Sequence, residues 1–262
     1  MDPAFYIPDP EQPGRYHPTG STIGPWSPQH QHGGPPIALM AHALRTHPGD
    51  PSLELARLTV EILSPIPLGP CDLEVRVLRP GKRVELLEAR YLVAGQPVLT
   101  AQAWRLQRVP GVAPPVSEAD WTLPAVPEEK ETAFFPGVVS FPYGRALDWR
   151  FVQGGFAETG PATVWARLRI PLVQGRETAG IEGLLTLLDS ANGVSCELDF
   201  RHWTFVPVDL TLNLYRQPVG PWFGMQARTL IDAGGIGLTM TTPFDAQGPL
   251  GRSQHTLFVR PR

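Results

Sequence analysis

Hydrophobic and polar positions along the chain fall into two kinds of run, repeated twice. In the first half, Gly33-Gly34-Pro35-Pro36 opens a segment with Ile37, Met40, Ala41 and Leu44 on one face. That is helical spacing, with proline tolerated in the first turn, and Pro48-Gly49 closes it. Period-two runs follow. Ala56, Leu58, Val60 and Ile62 alternate with Arg57, Thr59 and Glu61, and Leu73, Val75 and Val77 alternate with Asp72, Glu74 and Arg76. Segments 83–94 and 97–107 read as two more strands joined by a tight turn at Ala94-Gly95. In the second half, Val164, Ala166, Leu168 and Ile170 make a leading strand. Ile181, Leu184, Leu185 and Leu188 make a helix ending near Asn192-Gly193. Strands are expected at about 205–217, 222–232, 236–244 and 252–260.

The shared element order has a sequence counterpart. Leu58-Thr59-Val60-Glu61-Ile62-Leu63 resembles Leu210-Thr211-Leu212-Asn213-Leu214-Tyr215 at an offset of 152, and Gln102 corresponds to Gln254 at the same offset. Gly69-Pro70 matches Gly220-Pro221 one residue out of that register. Collinear matches of this kind mark a duplication. Each half is therefore expected to be one helix on about five antiparallel strands, an α+β unit that buries one face of each element. One such unit leaves a sheet edge open, and two can pair their edges. The expected division is 1–110 for the first repeat, 111–140 for a linker rich in Pro, Glu and Val, and 141–262 for the second repeat.

Composition narrows the class of function. A formal net charge of -3 with no basic run argues against nucleic acid as a partner. Two cysteines, Cys71 and Cys196, make no disulfide framework and fit a reducing compartment. The first residues lack the basic and apolar regions of a secretory signal, and no stretch has the roughly 20 apolar residues of a membrane span. The expectation is a cytoplasmic protein without a membrane partner.

No strong motif for a nucleophile or a metal is present. His30 and His32 stand two apart in a loop without an acidic or cysteine neighbour, which is not a metal motif. There is no G-x-S-x-G serine elbow. Asp232-Ala233-Gly234-Gly235-Ile236-Gly237 reads as a hairpin turn rather than a nucleotide loop, and Gly154-Gly155 as a bulge or turn. Asp209, whose repeat mate is Arg57, reads as an ion-pair position. Asp189 lies at the end of an apolar helix, where the helix dipole disfavours a carboxylate, so something else must retain it.

Several segments together carry a family resemblance: His32-Gly33-Gly34, Arg150-Phe151-Val152-Gln153-Gly154-Gly155-Phe156, Leu188-Asp189-Ser190-Ala191-Asn192-Gly193-Val194-Ser195, Val208-Asp209-Leu210-Thr211 and Gln254. In order and spacing the chain resembles the acyl-CoA thioesterases, in the branch typified by bacterial thioesterase II, TesB. That resemblance implies a double hot-dog fold, in which each repeat wraps a long helix in a curved antiparallel sheet. It also implies an acyl-CoA or related thioester as substrate, no cofactor, no metal and a possible homodimer. In that family an Asp, a Gln and a Thr hold and activate a water. The Asp falls on Asp189 and the Gln on Gln254. The Thr falls on Pro207, which has no hydroxyl and no N–H, so either a neighbour such as Thr211 or Thr204 replaces it, or the site works with two groups, or catalysis is weak. His32, Gly33 and Gly34 would let the thioester approach a helix start, and backbone amides near Gly33 or in the 181–184 turn would steady an oxyanion. Two alternatives stay open: an acyl-thioester or lipid binder without catalysis, and an enoyl-CoA hydratase using His32 or His202.

Overall fold

The computed structural model describes residues 2–116 and 120–262; Met1 and residues 117–119, the latter inside the expected linker, lie outside the described residues. The first half begins with a short hairpin, β1 (Tyr6–Pro8) and β2 (Arg15–Pro18), ahead of helix α1 (Gly34–Thr46). Four strands follow: β3 (Leu53–Ile62), β4 (Cys71–Arg79), β5 (Val84–Val93) and β6 (Gln96–Gln107). The second half starts with the short helix α2 (Pro142–Arg145), then β7 (Leu147–Gln153) and β8 (Ala162–Leu168). Helix α3 (Gly180–Leu188) and the single-turn α4 (Ala191–Val194) come next. The chain closes with β9 (Trp203–Pro207), β10 (Asp209–Leu214), β11 (Phe223–Ile231), β12 (Ile236–Asp245), β13 (Gly248–Pro249) and β14 (Gly251–Pro261).

All strands join one antiparallel sheet in the order β1-β2-β4-β5-β6-β3-β10-β14-β12-β11-β8-β7, with β13 beside β12 and β9 beside β14. The halves meet where β3 pairs with β10, and these are the two strands that the sequence repeat equates. Thr59 lies opposite Thr211, Leu58 opposite Leu212 and Val60 opposite Leu210, so the two repeated segments pair about a local twofold through the threonines, which are the repeat mates that face each other. Leu58, Val60, Leu210 and Leu212 are buried in the core. By strand alternation, Thr59 and Thr211 project from the other face. The expected Asp209–Arg57 ion pair does not form. The antiparallel register sets Asp209 against Glu61 and Arg57 against Asn213, and the Asp209 carboxylate accepts the Thr256 N–H instead.

Helices α1 and α3 lie against the core face of the sheet and against each other. Glu182, buried in the first turn of α3, accepts hydrogen bonds from His42 and Arg45 late in α1 and from the Ala179 N–H. Burial would raise the Glu182 carboxyl, but these donors win and hold it below its usual value. The contact pins the end of α1 to the start of α3, so the helices run antiparallel and the start of α1 meets the end of α3. There the backbones touch: a Cβ on Gly34 would collide with the Thr186 carbonyl oxygen. Only glycine permits that approach.

Among the described residues, 111–140 contain no helix or strand. The segment is nonetheless strapped to the second half. Trp165 donates to the Pro124 carbonyl, Trp121 packs on Phe244, Glu129 pairs with Arg150, and Phe135 is buried. The expected turns at 154–155 and 232–237 are present. Gly154 has φ +66° beside a register shift in β7, and Asp232 and Ile236 close a hairpin. Among the described residues, no helix is long and apolar enough to cross a membrane.

Candidate active site

The helix crossing brings His32 and Asp189 together. Asp189 caps the C-terminus of α3, and its Oδ2 lies 3.0 Å from His32 Nδ1. Both side chains are nearly sealed from solvent, at 5% and 11% exposure. Each is held from several sides. Gln31, the neighbour of His32, accepts from the Tyr6 hydroxyl and donates to the Pro67 carbonyl and to Tyr91, which anchors the loop. The His32 ring stacks on Tyr143 with centroids 3.8 Å apart and planes at 6°. Tyr143 in turn donates to the Thr186 carbonyl and meets the Ser190 hydroxyl 2.8 Å away, beside Asp189 in the chain. A Cβ on Gly33 would come within 2.8 Å of Asp189 Oδ2, so the glycine pair leaves room for the carboxylate as well as for the helix crossing.

Burial dominates the electrostatics. It pushes the Asp189 carboxyl up to about 7, while the amides of Gly34 and Gly33 at the start of α1 pull it part of the way back. The positive end of α1 thus offsets the unfavourable C-terminal end of α3, which answers what retains a carboxylate there. Burial likewise pushes the His32 imidazole down to about 3, with the His255 ring adding to the effect. Both directions favour the uncharged forms, so the pair shares a proton rather than forming an ion pair. The Gly34 N–H donates to His32 Nδ1 at 3.2 Å, which suits a neutral ring.

Asp189, His32 and Gly33 open onto a cavity of about 500 Å³. Its walls are mostly apolar and include Trp26, Ile62, Ile66, Phe135, Phe141 and Phe156. Pro207, Val208 and Thr204 line it on the sheet side. A buried carboxyl of raised pKa at one wall of an apolar cavity has the features of a general acid or base site.

The structure brings together Asp189, His32, Gly33 and Gly34, but not Gln254 and Thr211. Strand β14 alternates with Ser253, His255, Leu257 and Val259 buried and Gln254 exposed. Gln254 lies opposite Thr211, and Thr59 opposite Gln102, so a row of four repeat-related residues crosses the outer face of the sheet. Asp189 is on the inner side. The expectation that the amide and the carboxylate converge is therefore corrected, and the reason is strand parity: one step along β14 exchanges inside for outside. Of the two threonines considered beside Pro207, Thr204 reaches the cavity and Thr211 does not. The amides of the 181–184 turn are also remote from the cavity, since they start the helix that Asp189 ends, roughly 12 Å away along its axis.

Comparison with known proteins follows the same division of the chain. Residues 22–106 match the family model of the acyl-CoA thioesterase N-terminal domain, and residues 118–259 match that of the acyl-CoA thioesterase C-terminal domain. The chain belongs to the acyl-CoA thioesterase family. Among curated proteins, sequence comparison finds no match. Solved structures share the fold of this thioesterase-family chain. A conserved hot dog-fold protein from Alicyclobacillus acidocaldarius aligns with TM-score 0.72 at 16% identity, over 95% of this chain and 94% of its own. An acyl-CoA thioesterase II, TesB2, from Mycobacterium marinum aligns with TM-score 0.66 at 20% identity, over 96% and 93%. A tesB protein from Mycobacterium avium subspecies paratuberculosis aligns with TM-score 0.65 at 16% identity, over 94% and 93%. The α+β double hot-dog architecture of this family member is the one that the resemblance implies.

Three features of the site were not read from the sequence. Tyr143 clamps His32 from a four-residue helix that carries no periodic signal. Phe135 enters the cavity wall from the segment read as a bare linker. His255 takes the inward position of β14 that Gln254 was expected to hold. The alternation of Leu257 and Val259 with charged Arg260 was the available signal for that last assignment.

Proposed function

We propose that the chain hydrolyses acyl-CoA-type thioesters in the cavity beside Asp189. The observation that carries the reading is a buried carboxyl with its pKa moved to about 7, facing an apolar cavity at the start of a helix. A carboxyl poised there is half ionised at neutral pH, where a general base works best. In the carboxylate form, Asp189 takes a proton from a water as that water's oxygen adds to the thioester carbonyl carbon. Backbone amides near the positive start of α1 steady the developing oxyanion. When the tetrahedral adduct collapses, the C–S bond breaks and the leaving thiolate takes the proton back from Asp189. The products are a carboxylic acid and free CoA thiol, and no cofactor enters the balance. His32, clamped on Tyr143, holds the Asp189 carboxyl in place. Phe135, Phe141 and Phe156 form the apolar wall along which an acyl chain lies, which keeps bulk water from the reacting carbon. The two unpaired, buried thiols, Cys71 and Cys196, fit a cytoplasmic setting for this chemistry.

The test is release of free thiol from a panel of acyl-CoA substrates of graded chain length. We expect turnover by the wild-type chain, and a loss of roughly 10²–10⁴-fold in kcat for Asp189→Asn with folding retained. A second reading, binding of an acyl thioester without hydrolysis, is favoured by one observation: Pro207 lines the cavity with neither hydroxyl nor N–H to offer a water. Calorimetric binding of an acyl-CoA with no thiol released would select it.

A further inference from the structure

The apolar end of the cavity is closed by the segment between the repeats as well as by the repeats themselves. From Asp189 the lining follows α3 into α4 through Ser190, Asn192 and Gly193. About one helical turn beyond the carboxyl it meets Phe135: a Cβ on Gly193 would lie 3.1 Å from the tip of that ring. Phe135 stacks on Phe200 with centroids 4.4 Å apart and meets Phe156 edge-on at 5.3 Å. Its neighbour Phe134 packs on Phe156 and Phe141. Phe135, Phe141 and Phe156 are buried, whereas Trp26, also in the lining, is 36% exposed and marks the mouth.

Behind these rings lies a second cavity, of about 170 Å³, lined by Glu131, Thr132 and Ala133 of the same segment and by Gly155 and Ala157. Ala133 and Phe135 therefore face different cavities, and Phe156 faces the first while its two neighbours face the second. The Phe135 and Phe156 rings form the partition. Packing rather than a strand ladder holds Phe135 there. Among the described residues, no backbone hydrogen bond ties 125–134 to either repeat. The segment is anchored by Trp165 on the Pro124 carbonyl and by Glu129 on Arg150, and it turns where the Val138 N–H donates to the Phe135 carbonyl. The ring can be cut back without breaking a helix or a strand.

We propose that Phe135 sets the longest acyl group this site accepts: with Phe156 beside it, the ring ends the cavity, and the substrates are thioesters of short to medium acyl chains. The proposal rests on the acyl-thioester reading of the cavity given above. The phosphates of the carrier cannot be buried unpaired, so the carrier enters from the mouth and the acyl end points at Phe135. A cavity of about 500 Å³, at roughly 30 Å³ per water-sized group, holds about 16 non-hydrogen atoms. The thiol end of the carrier takes part of that space, which leaves room for an acyl chain of at most about ten carbons.

Two measurements test it. In the first, non-hydrolysable alkyl thioethers of CoA are titrated into the intact wild-type chain by calorimetry. We expect affinity to rise about fourfold for each added methylene while the chain fills the cavity, and to stop rising by about ten carbons. A rise that continues unbroken to about sixteen carbons would overturn the proposal. In the second, the same series is bound to Phe135→Ala and Phe135→Trp, with circular dichroism and thermal unfolding as controls. Cutting the ring back joins the two cavities, so we expect the break in Phe135→Ala to move about four carbons longer. The larger ring of Phe135→Trp is expected to move it shorter. A break that stays in place in folded Phe135→Ala also overturns the proposal, and if that variant does not fold, the wild-type series still decides. A break near ten carbons in a chain that releases no thiol from any acyl-CoA would remove the hydrolase reading alone and leave Phe135 as the end of an acyl-thioester site.

Discussion

Replacing Asp189 by Asn changes stability as well as turnover, and the change has a definite dependence on pH. Burial raises the folded-state pKa of Asp189 from 3.8 to about 7. The folded chain therefore holds this proton more tightly than the unfolded chain does. Stability from the group is fully present below pH 3.8 and is lost as pH rises toward and through 7. At 1.36 kcal/mol per pKa unit, the full loss is about 4 kcal/mol, and about 2–3 kcal/mol of it falls between pH 5 and pH 8. The Asn variant carries no such loss, because its amide does not ionise. Any fixed cost of the amide, such as an altered contact with His32, is the same at every pH and cancels in the difference. Urea unfolding of both chains at half-unit pH steps reads the effect directly. We expect the variant to gain on the wild type by about 2–3 kcal/mol from pH 5 to pH 8, equivalent to roughly 4–12 °C in Tm for a chain of this size. Parallel stability curves for the two chains would refute the claim that Asp189 is held in a dry site.

Two further substitutions probe the frame and the sheet faces. Gly34→Ala places a Cβ against the Thr186 carbonyl, with no flexible side chain to yield, so α1 and α3 must separate; we expect a loss of about 3 kcal/mol or more in urea unfolding, and a variant as stable as wild type would show that the helices can part cheaply. Gln254→Ala and Thr211→Val alter the outer face of the sheet; we expect thiol release within about twofold of wild type, and a loss of 100-fold would return those residues to the active site.

Much of the architecture was legible because the fold repeats itself. The 152-residue offset of Thr59 and Thr211 became the twofold pairing of β3 with β10, and the helix faces marked by Ile37, Met40, Leu184 and Leu188 became the buried contact with the sheet. Asp189 was picked out by the resemblance, and the helix dipole added that a carboxylate at the C-terminal end of an apolar helix needs something to retain it, which α1's start supplies. The failures share a cause. Period-two alternation says that residues 252–260 form a strand, yet a strand has two faces. Choosing Gln254 over His255 required knowing which face looks inward, and Leu257 and Val259 were better guides than the resemblance. Tyr143 and Phe135 come from segments too short or too irregular for any period, and only tertiary packing places them at the cavity.

The central claim is that an ionising Asp189, buried in the cavity wall, removes the proton from the attacking water. The pH dependence of kcat/KM for thiol release from an acyl-CoA tests this most directly, measured from pH 5 to pH 9 on the wild type and on Asp189→Asn. The account expects a tenfold rise per pH unit below a bend near pH 7 in the wild type, and no such limb in the variant's residual activity. A wild-type profile that is flat across that range, or a variant that keeps both the rate and the bend, would contradict it.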